Sequence, residues 1–157
     1  GAPVASHLPN SPVIQTGKRD GSKIRLPNGN YLEETASYYV LVETKAGGMT
    51  PALITMKSTQ LNVSKKWNSM MKTIQIPDGK GGFAIPPMHG VVYTLASTLQ
   101  KNDKGSWYGW VVTMDRILGQ EDKSLYLTAK DFRGNVSNGN VQTKADVEEK
   151  SKDSTPY

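Results

Sequence analysis

Short stretches of alternating or β-branched residues predict five strands, four of them paired in two hairpins. The stretch at 37–43 is aromatic or β-branched almost throughout, and a turn with two glycines at 45–48 leads into its return strand. A polar stretch at 100–105 joins the strands of the other hairpin. The predicted strands are 23–26, 37–43, 50–56, 91–96 and 107–114.

Two further segments have the apolar spacing of helices. The first begins after Ser58, a residue type that favours the N-cap, and ends before the Pro-Asp-Gly sequence at 77–79. A second helix is predicted at 120–133, with Gly134 at its C-cap. Helical spacing predicts that one apolar stripe of the first helix is buried. That stripe is formed by Val63, Trp67, Met70, Met71 and Ile74.

The order of these elements predicts the fold class and the domain boundaries. A chain of 157 residues is the size of one domain. A strand, a hairpin, a helix, a second hairpin and a helix follow one another as in an OB-fold. We therefore expect a mainly β protein with helices, built as a five-stranded OB-like Greek-key barrel with a helix between strands 3 and 4 and a C-terminal helix. The expected parts are a flexible N-terminal arm at 1–22, the OB-like domain at 23–134 and a polar, mixed-charge tail at 135–157.

Charge is distributed unevenly along the chain. Residues 1–144 contain 17 lysines and arginines against 10 acidic residues, a net charge of +7, whereas residues 145–157 have a net charge of −2. A basic body suits a polyanionic partner, because phosphate neutralisation releases counterions. Solubility alone also explains a total of +5.

Residues that support catalysis or metal binding are scarce. The chain has no cysteine, which excludes disulfides and thiolate chemistry, and its two histidines, His7 and His89, are far apart in the sequence. The glycine-rich stretch at 79–82 lacks the Lys-Ser/Thr ending of a P-loop. We expect no enzyme activity, no catalytic or metal site and no cofactor. The sequence also lacks a long apolar run and a recognisable secretory signal, so an intracellular protein without a membrane span is expected.

Aromatic residues beside lysines make the stretch at 101–110 the best candidate for a binding surface. Neighbouring strand residues point to opposite faces, so Trp107 and Tyr108 cannot share one. If the Tyr108 face lines a barrel, Trp107 is left outside near Lys101 and Lys104, as a platform for base stacking. The alternative is that Trp107 packs on the last helix. The face expected inside consists of Tyr108, Trp110, Val112 and Met114.

Helix and strand periodicity also predict which of the other aromatic residues are buried and which are exposed. Trp67 belongs to the apolar stripe of its helix and is expected in the core, whereas Lys65 and Lys66 face solvent. Tyr38 and Tyr39 are adjacent in a strand, so one of them is expected to be exposed. An exposed Tyr39 is a second candidate for stacking.

Four segments carry a family resemblance: PALITMKSTQL at 51–61, SKKW at 64–67, KGSWYGW at 104–110 and LYLTAKDF at 125–132. They resemble small tailed-phage proteins that are encoded among replication genes and described as single-stranded DNA-binding proteins. The resemblance implies an OB-type barrel, sequence-tolerant DNA binding, and an acidic tail that recruits replication partners. It also implies that the residues in contact with DNA include Lys57, Lys65, Lys66 and Trp107. The tail departs from that pattern, because it alternates Glu and Lys and ends in Thr155-Pro156-Tyr157.

Together these features predict a non-enzymatic protein that coats single-stranded DNA in phage replication or recombination, in the host cytoplasm. RNA stays open as the ligand, replication proteins are expected partners, and an exposed strand edge would permit a homodimer. Two other classes stay open: a virion or assembly protein, and a small protein that binds and inhibits a host enzyme. The predicted stacking residues are Trp107, Tyr39, Phe83 and Tyr93. The predicted phosphate contacts are Lys23, Arg25, Lys57, Lys65, Lys66, Lys101, Lys104 and Arg116.

Overall fold

The computed structural model describes residues 5–21 and 23–141. The helices in this part of the chain are α1 (Pro12–Gln15), α2 (Leu61–Thr73) and α3 (Lys123–Ser137), and 3-10 turns lie at Ser58–Gln60, Met88–Gly90 and Gln120–Asp122. The strands are β1 (Lys18–Asp20), β2 (Lys23–Arg25), β3 (Tyr31–Leu32), β4 (Thr35–Glu43), β5 (Met49–Lys57), β6 (Ile76–Pro77), β7 (Phe83–Ala84), β8 (Val91–Asn102) and β9 (Gly105–Ile117).

The described strands form four antiparallel sheets, ordered β1-β2-β3, β4-β5, β6-β7 and β8-β9. The coarse expectation of a mainly β protein with helices is confirmed. Within residues 5–21 and 23–141, however, the two long hairpins do not pair with each other, so no barrel closes. The helix α2 contacts strands of both hairpins, so they meet through this helix and not through a shared strand edge.

Local hydrogen bonds explain where the two long hairpins turn. The Thr44 N–H donates to the carbonyl of Gly48, and Gly47 adopts a φ of 80°, which glycine reaches without strain. In the other hairpin, the side-chain oxygen of Asn102 accepts the Lys104 N–H at 2.8 Å. This tight turn makes β8 and β9 longer than predicted, because they continue through residues expected to form a loop.

Three aromatic rings form the core between the hairpins. Trp67 on α2 stacks on Tyr38 of β4 with ring centroids 4.4 Å apart, and Tyr93 of β8 meets Trp67 edge-on at 5.6 Å. We call Tyr38, Trp67 and Tyr93 the aromatic core. Trp67 is only 4% exposed, and the Tyr38 hydroxyl lies 2.6 Å from the hydroxyl of buried Ser64. The prediction that Trp67 is a core residue is confirmed.

Several predicted boundaries differ from the structure. Ser58 begins a 3-10 turn, and no side-chain hydrogen bond caps α2. Gly134 lies inside α3, which ends at Ser137. Residues expected in the N-terminal arm include α1 and β1. The division at 22 and 134 stays a prediction, and the tail from 142 onwards lies outside the described residues.

Candidate functional site

An open cleft of about 350 Å³ lies where the tip of the β8–β9 hairpin meets the 3-10 turn after β5. The hairpin tip brings Lys104 and Trp107 to this opening, three residues apart along the chain. Residues of both elements line it, and we call it the Trp107 cleft. Its lining residues are Ser58, Thr59, Asn102, Lys104, Gly105, Ser106 and Trp107.

The indole of Trp107 is half-buried in this cleft. Its Nε1 is shielded from solvent and has no hydrogen-bond partner within the described part of the chain. The residues that line the cleft with it come from the 3-10 turn and the hairpin tip, and none from α3. Trp107 therefore offers part of its indole surface to the cleft, while its Nε1 is enclosed by the protein.

The expected inner and outer faces of β9 are reversed near the hairpin tip. Tyr108 is 73% exposed and Trp110 is 39% exposed, and Met114 is also exposed, although these residues were predicted to line an interior. Trp107 is less exposed than any of them. The reason is that no barrel forms around this hairpin, and the 3-10 turn covers the Trp107 side instead.

Contacts of Gly109 and Gln60 position the 3-10 turn against the Trp107 side of β9. Gly109 is buried, and a Cβ at this position would lie 2.5 Å from Gln100 Nε2 and 2.6 Å from Gln60 Nε2. Because the side chain is absent, Gln60 reaches the edge of β9 that faces away from β8, where its Oε1 accepts the Trp110 N–H at 2.9 Å. One backbone hydrogen bond thus fixes the turn against the strand.

Ser58 occupies a strained position in the lining of the cleft. Its φ is +52°, in the left-handed region that costs a non-glycine residue about 1–2 kcal/mol. It is the first residue of the 3-10 turn that follows β5. Strain of this kind is concentrated at functional sites, which adds weight to the cleft.

The predicted basic residues lie on several different elements. Of those named from the sequence, Lys104 lines the cleft and Lys101 is exposed on the same hairpin, whereas Lys65 and Lys66 are exposed on α2. Two others are engaged in ion pairs, which reduces their charge towards a ligand. Lys57 Nζ lies 3.3 Å from Glu33, and Arg116 lies 3.1 Å from Asp115 and 3.8 Å from Asp122.

The predicted stacking residues are also dispersed. Tyr39 is exposed on the face of the β4–β5 hairpin opposite to Tyr38, as the strand alternation predicts, and Phe83 is exposed in β7. Tyr93 is half-buried against Trp67, and its hydroxyl is shielded from solvent. Burial raises the pKa of Tyr93. The ring packs in the aromatic core, and its role in stacking stays a prediction.

Lys23 and Arg25 lie in the small sheet of β1, β2 and β3, of which the sequence pattern predicted only β2. Register pairs Lys18 with Arg25 and Arg25 with Tyr31, and residues directly opposite on antiparallel strands share a face. The missed signal is Gly21 directly after Asp20, where φ is 62° and the chain leaves β1. Tyr31 and Lys18 thereby join the candidate surface residues.

Two other polar features lie outside the cleft. His89 packs against Tyr126 at 5.0 Å, and its pKa is lowered by burial and then by the positive charges of Arg133 and Lys130. The pKa of Asp78 is lowered because its carboxylate accepts backbone N–H groups of Lys80 and Gly82. In residues 5–21 and 23–141 no cluster of three or more His, Asp or Glu residues could hold a metal ion. Among the described helices, none has the length and apolarity to span a bilayer.

A family model described as Pam3 phage gp34-like protein matches residues 1–142. The match covers the whole described part of the chain, including the sheet of β1–β3, both long hairpins and α3. No curated protein and no solved structure matches the chain.

Proposed function

The chain belongs to the Pam3 phage gp34-like protein family, and on that premise we propose that it binds single-stranded DNA at the Trp107 cleft in phage replication or recombination. The observation that carries the proposal is that Lys104 and Trp107 line one opening. The indole is a stacking surface for any base, and the ammonium group attracts a phosphate whatever the sequence.

The other lining groups fit a ligand of variable sequence. Ser58 and Thr59 contribute hydroxyl groups and Asn102 an amide, and these groups both donate and accept hydrogen bonds. They contact a base edge without selecting one base. Exposed Lys101 on the same hairpin adds a second cation for the strand backbone.

Charge and element order support the same function. Residues 1–144 have a net charge of +7, which favours encounter with a polyanion at low salt. The order of hairpin, helix and hairpin along the sequence is the one that predicted an OB-fold, but the described strands form four separate sheets, so the proposal does not depend on a barrel. The cleft itself needs only the hairpin and the 3-10 turn.

A labelled oligo-dT of about ten nucleotides tests the proposal, since single-strand sites span about 4–16 nucleotides. We expect Trp107→Ala to weaken binding about 5- to 150-fold, the equivalent of about 1–3 kcal/mol for one stacked base. Lys104→Ala should also weaken binding and should lower the slope of log affinity against log salt by about 0.7. Trp107→Phe, which keeps an aromatic ring, should retain most of the affinity.

Matched variants separate the cleft from other surfaces. Trp110→Ala removes the same residue type from the opposite face of the same strand, and Lys45→Ala removes the same charge in the turn of the other hairpin. Both should bind within about twofold of wild type. If Trp110→Ala loses affinity and Trp107→Ala keeps it, the binding site lies on the Tyr108 face instead. If the wild-type protein has no affinity for the oligonucleotide at low salt, DNA binding is refuted altogether.

A structural role in phage assembly is the second candidate, and the exposed apolar side chains favour it. Among the described residues, proline aside, only three apolar side chains are buried: Leu26, Met56 and Trp67. Tyr39 and Leu53, in contrast, pair across β4 and β5 on an exposed face. Unpaired edges and apolar faces of this kind are suited to association with other chains. Sedimentation of the purified protein as a monomer at micromolar concentration, and its absence from purified particles, would argue against this role.

A further inference from the structure

One face of the β1–β2–β3 sheet combines three cations with an aromatic ring. Asp20 pairs with Lys23 and lies two residues from Lys18, so both acidic and basic side chains of these strands meet on the Tyr31 face. We call Lys18, Asp20, Lys23, Arg25 and Tyr31 the basic face. All five residues are exposed, and the face has a net charge of +2.

Tyr31 lies among the charges of the basic face. Its ring is 50% exposed, with Lys23 Nζ at 6.0 Å and Arg25 Cζ at 5.8 Å from the ring centroid. The Tyr31 hydroxyl donates to Asp20 Oδ2 at 3.0 Å, which restricts the orientation of the ring. The ring is thus positioned by one carboxylate and two cations while half of its surface stays open.

These contacts also reduce the repulsion that Asp20 would exert on a phosphate. The carboxylate is engaged by the Tyr31 hydroxyl and lies opposite Lys23 in the register. The hydrogen bond to Asp20 raises the pKa of Tyr31, so the phenol stays neutral at physiological pH. The phenol therefore adds no negative charge next to Arg25, and the one carboxylate of the basic face lies among three cations.

We propose that the basic face binds an unpaired nucleotide of single-stranded DNA, with the base stacked on Tyr31 and the flanking phosphates held by Lys18, Lys23 and Arg25. The ligand class rests on the proposed function, while the site is separate from the Trp107 cleft. An aromatic ring flanked by cations on a short sheet offers stacking and phosphate attraction together. The second site would lengthen the DNA segment that one chain covers.

The opposite face of the same sheet supplies the control. Arg19 pairs with Ile24, so it lies on the face away from Tyr31 and carries the same charge as Arg25. Arg19→Ala and Arg25→Ala change the net charge equally within one small sheet. A difference between them therefore reports local contact rather than the overall field of the protein.

The test measures affinity for a labelled oligo-dT of about sixteen nucleotides, the upper end of single-strand site sizes. We expect Tyr31→Ala to weaken binding about 5- to 150-fold with an unchanged salt slope. Arg25→Ala should weaken binding and lower the salt slope by about 0.7, whereas Arg19→Ala should stay within about twofold of wild type. Tyr31→Phe keeps the ring, loses only the hydrogen bond to Asp20, and should bind within about threefold of wild type.

The pattern of losses separates this proposal from the preceding one. Weak binding by Tyr31→Ala with normal binding by Trp107→Ala would support the basic face and refute the cleft. Normal binding by Tyr31→Ala and by Arg25→Ala, with weak binding by Trp107→Ala, would refute the basic face and leave the cleft in place. Equal losses in Arg19→Ala and Arg25→Ala would also overturn the basic face. If Tyr31→Ala alters the circular dichroism spectrum and therefore the fold, the comparison of Arg25→Ala with Arg19→Ala still tests the basic face.

Discussion

Trp67 and Trp107 both follow lysines closely in the sequence, and both have an indole N–H shielded from solvent without a partner in the described residues. Their surroundings differ. Trp67 lies between the rings of Tyr38 and Tyr93, whereas Trp107 lines an open cleft with hydroxyl and amide groups. The comparison shows that the elements packed around a tryptophan, more than its sequence neighbours, separate a core residue from a candidate binding residue.

Replacement of Trp67 should have the largest effect on stability. Trp67→Ala is expected to lower the free energy of unfolding by about 3–5 kcal/mol, because it removes a buried ring that two other rings contact. Trp107→Ala should lower it by no more than about 2 kcal/mol, since its indole is only partly removed from water. Urea titration followed by circular dichroism measures both. Equal losses would show that Trp107 belongs to the core, which would weaken the cleft as a binding site.

The contact between Gln60 and β9 gives the next effect. Gln60→Ala should lower the free energy of unfolding by about 0.5–1.5 kcal/mol, because the Trp110 N–H loses its acceptor. Gly109→Ala should have a similar cost, because its Cβ would displace the ends of Gln60 and Gln100. In a double-mutant cycle, the double variant should lose less unfolding free energy than the sum of the two single losses, because both substitutions act on one contact. If the two losses were fully additive, Gly109 would not act through the position of Gln60.

His89 is another ring whose shielded polar atoms have no partner in the described residues, and unlike tryptophan it ionises near neutral pH. Burial and the nearby Arg133 and Lys130 lower its pKa in the folded state. The unfolded chain therefore takes up the proton first, near the ordinary pKa of about 6.5. The free energy of unfolding should decrease as pH falls below that value, until pH passes the folded pKa. His89→Gln should make melting less dependent on pH between about 5 and 7, and an identical pH profile would contradict this assignment.

Ser58 gives the smallest expected change. Ser58→Gly relieves the strain of a φ of +52°, while glycine adds entropy to the unfolded chain, so the free energy of unfolding should rise by about 0.5–1 kcal/mol. Thermal melting checks the sign. A loss of stability would mean that the Ser58 hydroxyl makes a contact worth more than the strain.

The sequence predicted more of the fold than of the candidate site. The two long hairpins and the stripe of α2 followed from periodicity and turn residues, which are local properties. For the site, it selected Trp107 and Lys104, which line one cleft, but it assigned exposed Tyr108 and Trp110 to the interior. It also overlooked Tyr31, because a two-residue strand has too few positions to show alternation.

The chain's alternation, its turn residues and the apolar spacing around Trp67 determined by themselves which segments become hairpins and which become helices, because these patterns act over a few neighbouring residues. Only the tertiary structure decided which face of each hairpin is covered. Strand periodicity offers two faces and does not choose between them, and the choice followed from distant contacts such as that between Gln60 and the backbone of Trp110. The same holds for Tyr31, which joins its cations only once three short strands align.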